Sequence, residues 1–107
     1  MINEELMGVK TIEECEEMAT VDCKDEDECI SGWFTCLEEV FGEVEKVKLF
    51  GEEINFKGFD FNGKGIVGVC QKGKEKIKIS LDSLKFANLT KVQELWLKAW
   101  LKCRDNY

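Results

Sequence analysis

This sequence predicts an α+β fold: N-terminal helices, a small antiparallel SH3-like meander of four to five strands, and a C-terminal helix. Three observations predict it. Apolar residues recur at helical spacing up to residue 42, alternate with period two between 44 and 86, and return to helical spacing from 90 to 103. The chain of 107 residues suits one domain with one modest core. It divides into a helical acidic part (1–42), a β-meander (44–86) and a final helix (90–103).

The first helix is expected over about 12–19. Thr11-Ile12-Glu13-Glu14 has the form of a capping box, with Ile12, Cys15 and Ala19 at helical spacing behind it. A second start lies at Asp25-Glu26-Asp27-Glu28. Behind it Ile30, Trp33, Phe34, Leu37, Val40 and Phe41 make one apolar stripe, and Gly42 stops the helix. Acids in that first turn also suit the positive end of the helix dipole.

The β part follows. Val47 and Leu49 alternate with Lys46 and Lys48, Ile54 and Phe56 with Glu53, Asn55 and Lys57. Val67 and Val69 come next, then Ile77, Ile79 and Leu81 against Lys76, Lys78 and Ser80. Breaks fall at Gly51, Asn62-Gly63 and Lys72-Gly73, with Asn-Gly the strongest hairpin signal. Thr90-Lys91-Val92-Gln93 is a third capping box. It leads into Val92, Leu95, Trp96, Ala99, Trp100 and Cys103, a stripe expected to lie on the sheet or on the second helix. Trp33, Trp96 and Trp100 read as core anchors.

Composition removes several functions. The net charge of −7 argues against nucleic acid, because phosphate binding needs a basic face. It fits cations, a basic protein surface or plain solubility. The acids are segregated: residues 13–28 hold nine of them and one Lys, whereas 72–78 hold four Lys and one Glu. No apolar run reaches the roughly 18 residues that span a membrane. The start of the chain has no basic n-region, so a cytoplasmic protein is expected.

Six Cys raise the possibility of disulfides, but a cytoplasmic setting argues that they stay reduced. Spacings of 8, 6 and 7 with no Cys-x-x-Cys and no His are poor for zinc. Cys36, Cys70 and Cys103 read as small buried apolar side chains.

Catalysis is not expected. Without His there is no Ser–His or Cys–His nucleophile. Gly63-Lys64-Gly65 lies in a hairpin turn rather than before a helix, so it is no phosphate loop. An EF-hand fails too. Counted from Asp60, Lys64 and Gln71 are wrong for the fifth and twelfth ligand positions; counted from Asp25, Ile30 stands where Gly is needed. Asp60-Phe61-Asn62-Gly63 is better read as a turn.

The stretch Asp22-Cys23-Lys24-Asp25-Glu26-Asp27-Glu28 is the candidate site. Carboxylates packed this densely are solvated, cap a helix, or are neutralised by a cation. Composition alone favours the solvated, dipole-matched helix start over a cation site. Asp25, Glu26 and Glu28 in the first turn could converge with loop carbonyls. Glu38 and Glu39 lie more than two turns further along and would join only if another segment gathered the acids.

Val21-Asp22-x-x-Asp25-Glu26-x-Glu28-x-x-x-Gly32-Trp33-Phe34-x-x-Leu37-Glu38-Glu39 resembles the start of the small acidic CcbP-type calcium-binding proteins first known from cyanobacteria. Val47-x-Leu49-x-Gly51, Ile79-x-Leu81-x-x-Leu84 and Gln93 with Trp96 and Trp100 extend the resemblance, which covers roughly 21–101. Departures are the lack of Pro after Leu-Glu, the Cys residues and the extra N-terminal helix. The resemblance implies an intracellular Ca2+ buffer or sequestering protein. It carries Asp22, Asp25, Glu26, Glu28, Glu38 and Glu39 over as candidate ligands. The other reading is an acidic interaction module, a small regulatory or inhibitory protein that docks on a basic partner without metal.

Overall fold

The computed structural model describes residues 4–21, 23–63, 65–86 and 89–106. Its helices are α1 (Glu4–Met7), α2 (Ile12–Ala19), α3 (Glu26–Val40) and α4 (Lys91–Cys103). Five strands lie between α3 and α4: β1 (Lys46–Leu49), β2 (Glu52–Asn62), β3 (Gly65–Lys72), β4 (Glu75–Ser80) and β5 (Lys85–Phe86). The α+β class holds, and each long helix begins where its cap is written. The Thr11 hydroxyl accepts from the Glu14 N–H. Asp25 Oδ1 accepts from the Glu28 N–H at 2.9 Å. At α4 the capping box is reciprocal: Thr90 accepts from the Gln93 N–H and the Gln93 side chain accepts from the Thr90 N–H.

The sheet order is β4-β3-β2-β1-β5, antiparallel at every pairing. The expected meander therefore holds for β1 to β4. β5 departs from it: the chain crosses back through a 3-10 turn at Leu81–Ser83 and pairs with β1. This crossover delivers Leu81 and Leu84 onto the sheet. A Cβ on Gly68 would stand 2.5 Å from Leu84 Cδ1, so the empty position in β3 receives the crossover's leucine.

Two details of the strands correct the sequence reading. β2 is one long strand of 11 residues, and Asp60, Phe61 and Asn62 belong to it rather than to a turn. Asp60 pairs with Lys78 at 3.0 Å. This hydrogen bond and the Phe61 N–H hold its carboxyl below the usual range. In β3 the deeper row is Ile66, Gly68 and Cys70; of the two expected valines Val67 is buried and Val69 half-buried. β2 carries a bulge between Phe56 and Gly58. Ile54 and Phe56 share a face by period two; the extra residue brings Phe59, three further on, to the same buried face.

The core lies between this sheet face and the helices. Trp33, Trp96 and Trp100 are its largest fully enclosed side chains, with Trp33 edge-on to Trp96 at 5.9 Å and tilted against Trp100 at 5.6 Å. α4 packs mainly on α2 and α3, with Trp100 reaching Ile66 and Val67 of β3. Two buried polar groups fix it there. Gln93 Nε2 donates to the Val40 carbonyl at 3.1 Å, and Trp96 Nε1 donates to the Leu6 carbonyl at 2.9 Å. The short α1 has no signal in the apolar pattern; it is held by this tryptophan and by buried Leu6 and Val9.

Cys15, Cys36, Cys70 and Cys103 are buried free thiols. Cys23 and Cys29 form a disulfide, which overturns the expectation that all thiols stay reduced. The reason is local. The turn that caps α3 brings residues six apart in sequence within 4.9 Å at their Cα atoms, a separation that suits a disulfide. No described helix is long and apolar enough to cross a membrane.

Candidate functional site

The acidic segment occupies the connection from α2 to α3. The disulfide closes it as a loop, with Lys24, Asp25, Glu26, Asp27 and Glu28 between the two half-cystines. The carboxylates are exposed but not idle. Asp25 caps α3, and Glu28 Oε2 accepts from the Lys24 N–H at 3.0 Å, reaching back one residue beyond the usual capping-box partner. These bonds hold the loop backbone against the first turn of α3, where the unpaired N–H groups favour negative charge. Asp22 lies outside the described residues.

Glu38 and Glu39 do not join this cluster. They lie about 15 Å further along the helix at about 1.5 Å per residue, and they face different ways. Glu38 turns toward the sheet: its Oε1 accepts from the Phe59 N–H at 3.2 Å, at the β2 bulge. Its carboxylate stands 3.3 Å from where a Cβ on Gly58 would be, and Gly58 has a φ of 117°. Glu38 thus ties α3 to the irregular point of β2. Glu39 lines a groove of about 440 Å³ with Leu6, Glu17, Met18 and Val21. Its Oε2 is buried and has no hydrogen-bond partner among the described residues.

A second groove of about 520 Å³ continues from this one toward the acidic loop, sharing Met18, Val21, Thr35 and Cys36 with it. Asp25, Asp27 and Glu28 line its far end. Asp27 and Glu17 were not among the sequence candidates. Asp27 stood in the same run, but only the helix phase shows that it faces the groove. Among the described residues no group of three or more Cys, Asp or Glu is placed to hold a metal ion.

Burial pushes the Cys36 thiol up to about 11, with the neighbouring Glu39 charge adding to it. Burial likewise raises Cys15 to about 12, assisted by Glu14.

Comparison with known proteins turns on the architecture. No protein-family model matches the chain, and no curated protein matches it. The fold is similar to that of Anabaena CcbP. The crystal structure of that protein superposes with a TM-score of 0.69 over 90% of this chain and 93% of CcbP. Sequence identity is 14%, so the likeness to CcbP is one of fold. The acidic loop, the Gly-Trp pair and the Leu-Glu pair that resemble CcbP-type proteins in sequence fall on one element here, α3 and its cap.

Proposed function

We propose that this protein binds calcium and buffers or sequesters it, without catalysis, and that the ion is taken at the acidic turn opening α3. The observation that carries the reading is the conjunction of a CcbP-like fold with the CcbP-like acidic–Trp block at the start of α3. The donor chemistry suits the ion. Calcium takes about six to eight oxygen ligands, mostly carboxylate and carbonyl.

Asp25, Glu26 and Glu28, with Asp22 shortly before them in the sequence, are the residues that would hold it. The described carboxylates do not by themselves form a closed shell. Binding therefore involves movement of the loop toward the cation, with water or backbone carbonyls completing the shell. Glu38 acts as a positioning residue that fixes α3 on the sheet. Glu39 stays outside the ion's reach.

Isothermal titration of chelator-stripped protein with calcium, and with magnesium in parallel, tests this. Saturable calcium binding that weakens at low pH and high salt is expected. Asp25→Asn with Glu26→Gln should weaken it strongly and leave the fold intact. Titration of that double variant indistinguishable from the parent would remove the assignment.

A further inference from the structure

We propose that the groove between α2 and α3 is a docking site for a basic amphipathic segment of a partner protein, one that seats an apolar side chain on Met18 and Val21 and places Lys or Arg against Glu17 and Glu39. This goes beyond calcium binding: the carboxylates it relies on, Glu17 and Glu39, lie away from the acidic turn, whose Asp25 and Glu28 border only the far end of the groove.

Shape and chemistry both point there. The two connected hollows form one trough, about 440 and 520 Å³ in its two parts. Its floor is apolar: Leu6, Met18, Ala19 and Cys36. Val21 at its edge is 76% exposed, an apolar side chain left in water. The rim is acidic along its whole length, from Glu17 and Glu39 to Asp25, Asp27 and Glu28. Among the described residues no Lys or Arg lines either part.

The strongest pointer is Glu39 Oε2, buried and without a hydrogen-bond partner among the described residues. A buried carboxylate oxygen left so is costly, and a cationic donor entering the groove would satisfy it. The Glu39 carboxylate is felt at the Cys36 thiol, which lines both parts of the trough. This places the charge beside the apolar floor. Lys and Arg can lay an apolar stem on such a floor and extend a charged head to the rim. A basic helix or strand therefore fits better than an acidic or purely apolar one.

The test uses the full chain and a short labelled synthetic peptide of Lys and Leu at helical spacing, with its Glu and Leu counterpart, read by fluorescence anisotropy in chelator. The basic peptide should bind saturably and the acidic one should not. Glu17→Gln with Glu39→Gln should weaken binding about tenfold. Val21→Lys, at an exposed position, should weaken it as well. Glu75→Gln with Glu94→Gln changes net charge equally on other faces and should leave affinity within about twofold. Equal weakening by both double variants would mean that only net charge attracts the peptide and would overturn the proposal. A dimer of the protein alone, abolished by the Glu17 and Glu39 substitutions, would also overturn it and give the groove to the Lys-rich β3–β4 hairpin of a second copy.

Discussion

The backbone carbonyl oxygen of Ala19 occupies the space in which a side chain on Gly32 would begin. The end of α2 thus rests directly on the second turn of α3, at the one helical glycine next to Trp33. Gly costs a helix roughly 1 kcal/mol relative to Ala, so Gly32→Ala would stabilise an isolated helix. In this protein we expect the opposite sign. The helices must separate, and stability should fall by about 2 kcal/mol or more. Urea denaturation gives the sign directly.

The Cys23–Cys29 disulfide closes a very short loop. Chain-entropy arguments give such a loop about 2 kcal/mol of stabilisation. Cys23→Ser with Cys29→Ser, or full reduction, should lower the denaturation midpoint accordingly. Amide exchange should rise in residues 23–28 before it rises in α4.

Glu38 and Phe59 supply a third test. Glu38→Ala leaves the Phe59 N–H at the bulge without its acceptor, at a cost of about 1–3 kcal/mol. Glu38→Gln keeps an acceptor oxygen and should cost less. It should also leave calcium affinity unchanged, which separates a positioning carboxylate from a ligand.

At the β1–β2 turn, Phe50 has a φ of 52° and is 94% exposed, followed by Gly51 at 80°. Both central residues of a two-residue hairpin turn of this kind are left-handed, where Asn is far better suited than Phe. Phe50→Asn should raise the melting temperature by several degrees, since about 1 kcal/mol corresponds to roughly 4–8 °C in a domain of this size.

Much of this architecture was legible in the sequence. Thr11, Asp25 and Thr90 mark helix starts through side-chain hydrogen bonds that are local, so a one-dimensional reading finds them. Trp33, Trp96 and Trp100 fall on apolar stripes, and the stripes face the core. What escaped is non-local. Nothing in Leu37-Glu38-Glu39 says that three successive residues face the core, a bulge in β2 and a groove against α2. The return of β5 to β1 is set by where Leu81 and Leu84 find room above Gly68. The Cys23–Cys29 bond follows from the caging of the loop by Asp25 and Glu28, a geometry that spacing alone does not specify. Asp22, the first of the candidate ligands, lies outside the described residues.

Alkaline pH should unfold the protein in a defined window. Burial raises Cys15 to about 12 and Cys36 to about 11. Burial and the hydrogen bond to Glu16 raise Cys103 to about 11. Their ordinary value is 9.0. Below that value both states keep the protons and stability is intact. Above it the unfolded chain releases them first, so stability falls progressively as pH rises from 9.0 through about 12. Cys36→Ala should flatten that decline, as measured by thermal melts across the range. The same burial predicts slow alkylation of these thiols at neutral pH.

The hydrogen bond from Trp96 to the Leu6 carbonyl spans 90 positions, and Trp33 in the first third of the chain has tryptophans of α4 on two sides. During synthesis, then, the acidic loop and Trp33 emerge from the ribosome well before α4, the element that closes over Trp33. The nascent chain must leave that indole partly uncovered until α4 arrives to enclose it.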